Sequence, residues 1–281
     1  MKSLAILLTF LCLSTACSPS SEQLVEGQDN DRPQRIVSLD YCADQYVLKF
    51  VDPHRILAVS PDAKKSFSYM RNEAEDIPSI RPWAEDVILQ KPDLIVRSYG
   101  GGPNAAHFFE QAGIPVLNIG WASNLDDIER VIQQMADGLG ESEKGVALVR
   151  EMQKRLASIP ISSSTETALY MTSSGVTTGP GSLVHQMLLA GNYENFQTQP
   201  GWQSLPLERL AYEQPDAVAV AIFEGSSARL GAWSAMRHPI AKKQIEDLPT
   251  TMLEGAWTTC GSWFLVDAIE ALSLTKAESD D

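Results

Sequence analysis

Residues 85–96, EDVILQKPDLIV, return in outline at residues 208–221, ERLAYEQPDAVAVA. In each copy a glutamate opens a turn of helical periodicity, and a Pro-Asp pair follows seven and eight residues on (Pro92-Asp93, Pro215-Asp216). An apolar run closes each unit. Proline cannot continue a helix and drives the residue before it toward extended backbone. LIV and AVAVA have the length and composition of strands covered on both faces. The unit therefore reads helix, stop, buried strand, and its use once per half predicts two similar α/β lobes.

Working outward, RIVSL (residues 35–39) is a strand, DYCADQYVLKFV a helix with Asp40 as N-cap, and RILAVS a second strand. After the first copied unit come a helix NAAHFFEQAG closed by Gly113 and a strand IPVLNIGW. The alternation predicts a parallel sheet with helices on its faces. NLDDIERVIQQMADGLG is a helix capped by Asn124, and ESEKGVALVREMQKRLASI runs on to Pro160 as the single helical connector at the midpoint. The second half repeats the scheme: strand TALYMTSSG, helix SLVHQMLLAGN, the copied unit, a helix over 234–243, strand TMLEGAW and a final helix SWFLVDAIEALSL. The expected divisions are 1–16 signal peptide, 17–34 flexible tether, 35–140 N-terminal lobe, 141–160 connecting helix and 161–281 C-terminal lobe.

The first sixteen residues carry Lys2, the apolar run LAILLTFLCL and the small residues Ser14-Thr15-Ala16 before Cys17, which predicts an export signal too short to span a bilayer. Small residues before a cysteine resemble a bacterial lipobox, so Cys17 is the expected lipid anchor, with cleavage to a soluble periplasmic form as the other reading. The formal charge of -14 argues against nucleic acid, whose phosphates call for clustered Lys and Arg. Cys12 leaves with the signal, so Cys42 and Cys260 remain in the folded body. In an oxidising compartment they pair as a disulfide or stay as buried thiols, and spacing along the chain does not decide which.

These segments together resemble the periplasmic substrate-binding proteins of cobalamin and ferric-siderophore ABC importers. The resemblance rests on RIVSLDYCADQYVLKFVDPHRILAVS, the two Glu-to-Pro-Asp units, GIPVLNI, the midpoint helix and AWTTCGSWF, and it covers roughly residues 34–274. It implies two Rossmann-like lobes with parallel sheets joined by one long α-helix, and a monomer that captures a ferric siderophore, corrinoid or haem without a covalent cofactor. It further implies that Glu85 and Glu208 dock onto arginines of a permease dimer served by an ATPase. A carboxylate at a helix N-terminus also has a local explanation in the helix dipole.

Ligands of open α/β sheets sit at the carboxyl ends of strands. That rule nominates Tyr41 and Cys42, Ser60 and Asp62, Tyr99 with Gly100–Gly102, and Trp121 from the first lobe. From the second it nominates Thr177, Thr178, Phe223, Glu224, Trp257, Cys260 and Trp263. The resemblance adds Trp202, six residues before Glu208, where the cobalamin-binding member has a ligand-facing tryptophan. Core packing is the competing explanation for any one tryptophan. Arg81, Arg97 and Arg229 could meet an anionic ligand or stand solvated at the surface.

The Cys-Ala-Asp opening and the Trp-Thr-Thr-Cys-Gly ending depart from the cobalamin binder, so the sequence does not select one chelate. His54, His107, His185 and His238 are scattered singly, which gives no convergent metal site. The chain lacks a GxSxG elbow, and nothing in the spacing pairs a cysteine with a histidine for a cysteine-dependent hydrolase. A tethered receptor that senses its ligand without transporting it is the other non-enzymatic reading.

Overall fold

The computed structural model describes residues 32–161, 165–223 and 234–280. The expected signal segment, most of the expected tether, Cys17, Glu224 and Arg229 lie outside them. The first lobe runs β1 (Ile36–Ser38), α1 (Tyr41–Phe50), β2 (Ile56–Ala58), α2 (Ala84–Leu89), β3 (Leu94–Arg97), α3 (Ala105–Gln111), β4 (Val116–Asn118) and α4 (Leu125–Gly138). Its four strands lie in the order β2-β1-β3-β4, all parallel. The connector is α5 (Ser142–Ala157), packed lengthwise on α4.

The second lobe comprises β5 (Thr167–Thr172), β6 (Val176–Thr178), α6 (Leu183–Ala190), β7 (Glu194–Asn195), β8 (Trp202–Ser204), α7 (Leu207–Leu210), β9 (Ala217–Ile222), α8 (Pro239–Asp247), β10 (Thr250–Glu254), α9 (Gly255–Thr258) and α10 (Leu265–Asp280). Its parallel sheet has the order β7-β5-β9-β10, which matches β2-β1-β3-β4 strand for strand. An antiparallel ribbon, β6 with β8, is the addition that the sequence reading did not foresee. TMLEGAW is strand only to Glu254, and its last residues start the single turn of α9.

The duplicated unit has one structural role in both lobes. Asp93 accepts the amides of Gln34 and Arg35 at 2.8 and 2.9 Å, and its own amide donates to the Arg35 carbonyl at 2.9 Å. Asp216 accepts the Thr167 amide at 2.7 Å, and its amide donates to the Thr167 carbonyl at 3.0 Å. Each aspartate thus pins the strand it precedes to the first strand of its lobe, while the helices themselves end earlier, α2 at Leu89 and α7 at Leu210.

Strand periodicity divides the apolar runs between two faces, as strands buried on both sides require. Ala217, Ala219 and Ala221 face the main core, while Val218 and Val220 face a second cluster with Leu169, Met171 and Phe196. In the first lobe Val37 and Ile95 meet Val87 and Phe109 on the outer face. The main cluster is continuous through both lobes, from Ile36 and Phe50 by way of Trp263 and Phe264 to Tyr170 and Ala219. Among the described residues no helix is long and apolar enough to cross a membrane.

Candidate ligand cleft and docking faces

The first wall is built on Asp40. Its Oδ1 accepts the Ala43 amide and caps α1, while its Oδ2 accepts the amides of Ser98, Tyr99 and Gly100 at 2.7, 3.0 and 2.8 Å. The start of α1 and the turn after β3 are thereby fastened together. As a result Tyr41 and Tyr99, 58 residues apart, meet edge to face with centroids 6.0 Å apart. Gly100 is required here because a β-carbon would fall 2.3 Å from the Leu39 carbonyl oxygen. Gly101 and Gly102 follow at φ +79° and +87°, which makes the triple glycine a turn.

Phe67 adds a third ring, 5.2 Å from Tyr41. It lies in a stretch of turns held by Gln45, whose side chain donates to Ser68 Oγ and accepts the Met70 amide. Burial, followed by the charges of Asp40 and Asp62, raises the Tyr41 phenol. Burial and the neighbouring Tyr41 raise Tyr99 further. Both rings therefore present neutral hydroxyls at physiological pH. Trp121, after β4, is 84% exposed.

In the second lobe Trp202 is 61% exposed on β8 and leans edge-on against Tyr170, whose hydroxyl donates to Thr258 Oγ1 at 3.4 Å. Phe223 is half-buried and lies so close to Gly255 that a β-carbon there would meet its ring at 2.3 Å. Trp257 is half-buried on the main core. Between the lobes lies a cavity of 230 Å³ lined by Ser66 and Arg71 from the first lobe, and by Ile222, Met252, Glu254 and Gly255 from the second.

Several nominated residues serve the frame instead of facing the cleft. Trp263 is 5% exposed, packed against Tyr46, Phe50, Tyr69 and Phe264 in the joint between the lobes. Arg97 is buried and donates to the carbonyls of Gly100 and Gly102, which fixes the glycine turn and leaves no free guanidinium for an anion. Ser60 is buried and donates to Asp44, and Thr177 and Thr178 are fully buried. Cys42 and Cys260 form a disulfide with a Cα–Cα distance of 5.7 Å, which settles the choice between bond and thiols. The sequence reading missed Phe67, Arg71 and Glu254. The first two lie in turns without a period, where only the Phe67-Ser68-Tyr69 alternation hinted at a wall.

On the outer surface, Glu85 is the second residue of α2 and Glu208 the second residue of α7. Both are exposed, and among the described residues neither carboxylate has a hydrogen-bond or ion-pair partner. Their neighbours are committed: Asp86 pairs with Arg81 at 2.9 Å, and Arg209 with Glu213 at 2.7 Å. Each glutamate has an exposed aromatic nearby. Trp83, with Arg81 stacked at 4.2 Å, flanks Glu85, and Tyr212 flanks Glu208. A shallow notch lies between each repeat helix and the next, with Phe108 between α2 and α3 and with His238 and Ile240 between α7 and α8.

Two lobes of one design, a cleft at their strand ends and a single helical connector define a two-lobed ligand-binding protein. The periplasmic binding protein family model matches residues 36–242, and the chain belongs to that family. No curated protein matches it in sequence. Among solved structures it is similar to the periplasmic heme-binding protein RhuT from Roseiflexus sp. RS-1 in apo form, with TM-score 0.70, 18% identity, and coverage of 88% of this chain and 99% of that one. It is also similar to an ABC-type Fe3+-hydroxamate transport system protein from Saccharomonospora viridis, with TM-score 0.64, 18% identity and coverage of 87% and 93%. A third is the periplasmic vitamin B12 binding protein BtuF of Vibrio cholerae, with TM-score 0.62, 17% identity and coverage of 89% and 98%. At these identities the likeness establishes a shared fold.

Proposed function

We propose that this protein is the solute-binding component of an ABC importer, capturing a metal chelate between its lobes and handing it to a permease dimer. The carrying observation is the pair Glu85 and Glu208, unpartnered carboxylates at the same position of two copies of one unit. A side chain with no partner in its own chain, placed twice on pseudo-symmetric halves, suits arginines presented twice by a symmetric dimer. Trp83 and Tyr212 beside them supply apolar contact of the kind that carries binding energy at interfaces.

The cleft chemistry favours a large ligand with a flat or apolar body. Tyr41, Phe67, Tyr99 and Trp121 on one side, and Trp202, Phe223 and Trp257 on the other, offer aromatic faces with neutral hydroxyl donors. The names carried by the structural neighbours point to haem, a hydroxamate-bound iron and vitamin B12, all metal chelates. Cys42 contributes through its place beside Tyr41. The protein works as a monomer in the periplasm, held at the membrane by a lipid on Cys17.

Titrating the intrinsic tryptophan fluorescence with cobalamin, cobinamide, haem and ferric hydroxamates, each against its metal-free form, tests the ligand class. Saturable quenching by one class at micromolar concentration or below is expected. A folded protein that responds to none of them overturns the chelate reading.

A further inference from the structure

A group of contacts that bolt the second lobe to the first gathers on one short segment, residues 254–263, next to the stacking of Phe264 on Tyr69 at 4.5 Å. Glu254 lies 3.7 Å from Arg71, and Thr259 Oγ1 donates to the Phe67 carbonyl at 3.2 Å. Cys260 is bonded to Cys42. Trp263 fills the aromatic joint with Tyr46, Phe50 and Tyr69. The chain itself passes between the lobes through α5, so the cystine is a second covalent link, made between residues 218 positions apart.

The position of this link matters more than its existence. Cys42 directly follows Tyr41, which stands in the first wall, and the ring that touches Tyr41 belongs to Phe67, whose carbonyl Thr259 holds. On the other side Cys260 lies three residues after Trp257, in the segment that also carries Gly255 against Phe223. A wall residue of each lobe is therefore joined to its opposite number through the cystine and a few stiff bonds. Two lobes joined by one helix can still rock about its ends. A covalent cross-link at the base of the walls removes that freedom where the ligand would feel it.

We infer that the Cys42–Cys260 cystine is a positioning element that presets the separation of the Tyr41 and Trp257 walls, so that the cleft selects its ligand by size. Neither sulfur needs to touch the ligand. The size selection rests on the chelate reading above, whereas the fixed joint stands without it.

The test compares the wild-type protein with the double variant Cys42→Ser, Cys260→Ser in two measurements. The first is the dissociation constant for a size series: cobalamin, cobinamide, haem and a ferric trihydroxamate. The second is backbone hydrogen exchange over residues 41–50, 66–71 and 255–264 without ligand. Wild type is expected to prefer one chelate at least tenfold over the next size, and the variant to bring that preference below threefold while exchange at the three segments quickens. A variant that keeps the wild-type size preference overturns the inference, even if its exchange is faster, because the cystine would then be a stabilising link alone. If no chelate binds either protein, the chelate reading falls and the size selection with it; exchange that quickens at these three segments and not across the rest of both lobes then still supports a fixed joint, and unchanged or uniformly quickened exchange overturns it. Should the serine pair fail to fold, Cys42→Ala with Cys260→Ala, better suited to the apolar surroundings, carries the same comparison.

Discussion

Asp40 accepts the backbone amide of Tyr99 at 3.0 Å while its other carboxylate oxygen caps the helix that begins with Tyr41. One buried side chain thus sets two aromatic residues that are distant in sequence side by side. Loss of an N-cap costs about 0.5–2 kcal/mol, and each buried donor left without an acceptor costs about 1–3 kcal/mol more. Because only the Gly100 amide of the three is buried, Asp40→Ala is expected to lose about 2–5 kcal/mol of unfolding free energy in denaturant titration. In whatever protein remains folded, chelate affinity should fall with it, because the Tyr41–Tyr99 pair loses its common anchor. A variant with near-native stability would show that the turn after β3 is held by something else.

Glu85 and Glu208 are expected to separate delivery from capture. The double variant Glu85→Ala, Glu208→Ala should bind chelate as wild type does, since both residues lie on the outer surface, yet support less than a tenth of wild-type uptake in whole cells. Each single variant should fall between. Wild-type uptake and permease binding by the double variant would return both glutamates to the modest local role of acids at helix N-termini.

The two Pro-Asp pairs should behave as a matched set. Asp93→Ala removes an acceptor for the amides of Gln34 and Arg35, and Asp216→Ala removes the acceptor for the Thr167 amide and hydroxyl. Each is expected to lower stability by about 1–3 kcal/mol, and the double variant by close to the sum, since the sites serve different sheets. Equilibrium unfolding of the three variants checks this. A large cost at one site and none at the other would break the structural equivalence of the repeat.

That repeat also explains why the fold was legible. Proline cannot continue a helix past its first turn, Asp40 and Asn124 cap where their short acceptors must, and runs such as AVAVA have no stable place outside a sheet covered on both faces. These are local rules, so a single sequence carries them. The cleft was legible only in part. Placing residues at strand ends nominated Tyr41, Tyr99 and Trp121, which are half-buried or exposed, but it could not tell Trp257, half open, from Trp263, which the other lobe covers. Phe67, Arg71 and Glu254 acquire their places through non-local contacts to Gln45, Tyr41 and each other. The disulfide depends on the same kind of distance, which no spacing along the chain encodes.

Asp44 makes the last prediction. It is fully buried on α1, and its carboxylate accepts from the amide and hydroxyl of Ser60 at 3.0 and 2.6 Å, which ties α1 to the end of β2. Burial raises its pKa to about 6, and the Ser60 hydrogen bonds pull the other way without cancelling the effect. An unfolded chain holds an aspartate near 3.9, so between about pH 4 and pH 6 the folded protein binds the extra proton. The contribution of this group is fully present below about pH 4 and is lost as pH rises through about 6, an effect on the order of 2–3 kcal/mol. Asp44→Asn resembles the protonated form: its carbonyl oxygen can accept the Ser60 amide and its amide can donate to the Ser60 hydroxyl. Denaturant titrations from pH 4.5 to 7.5 should show the wild type losing stability relative to the variant across that window, with the variant at least as stable at pH 7.5. If the variant is instead the weaker protein at pH 7.5, the Ser60 hydrogen bonds outweigh the burial of the charge.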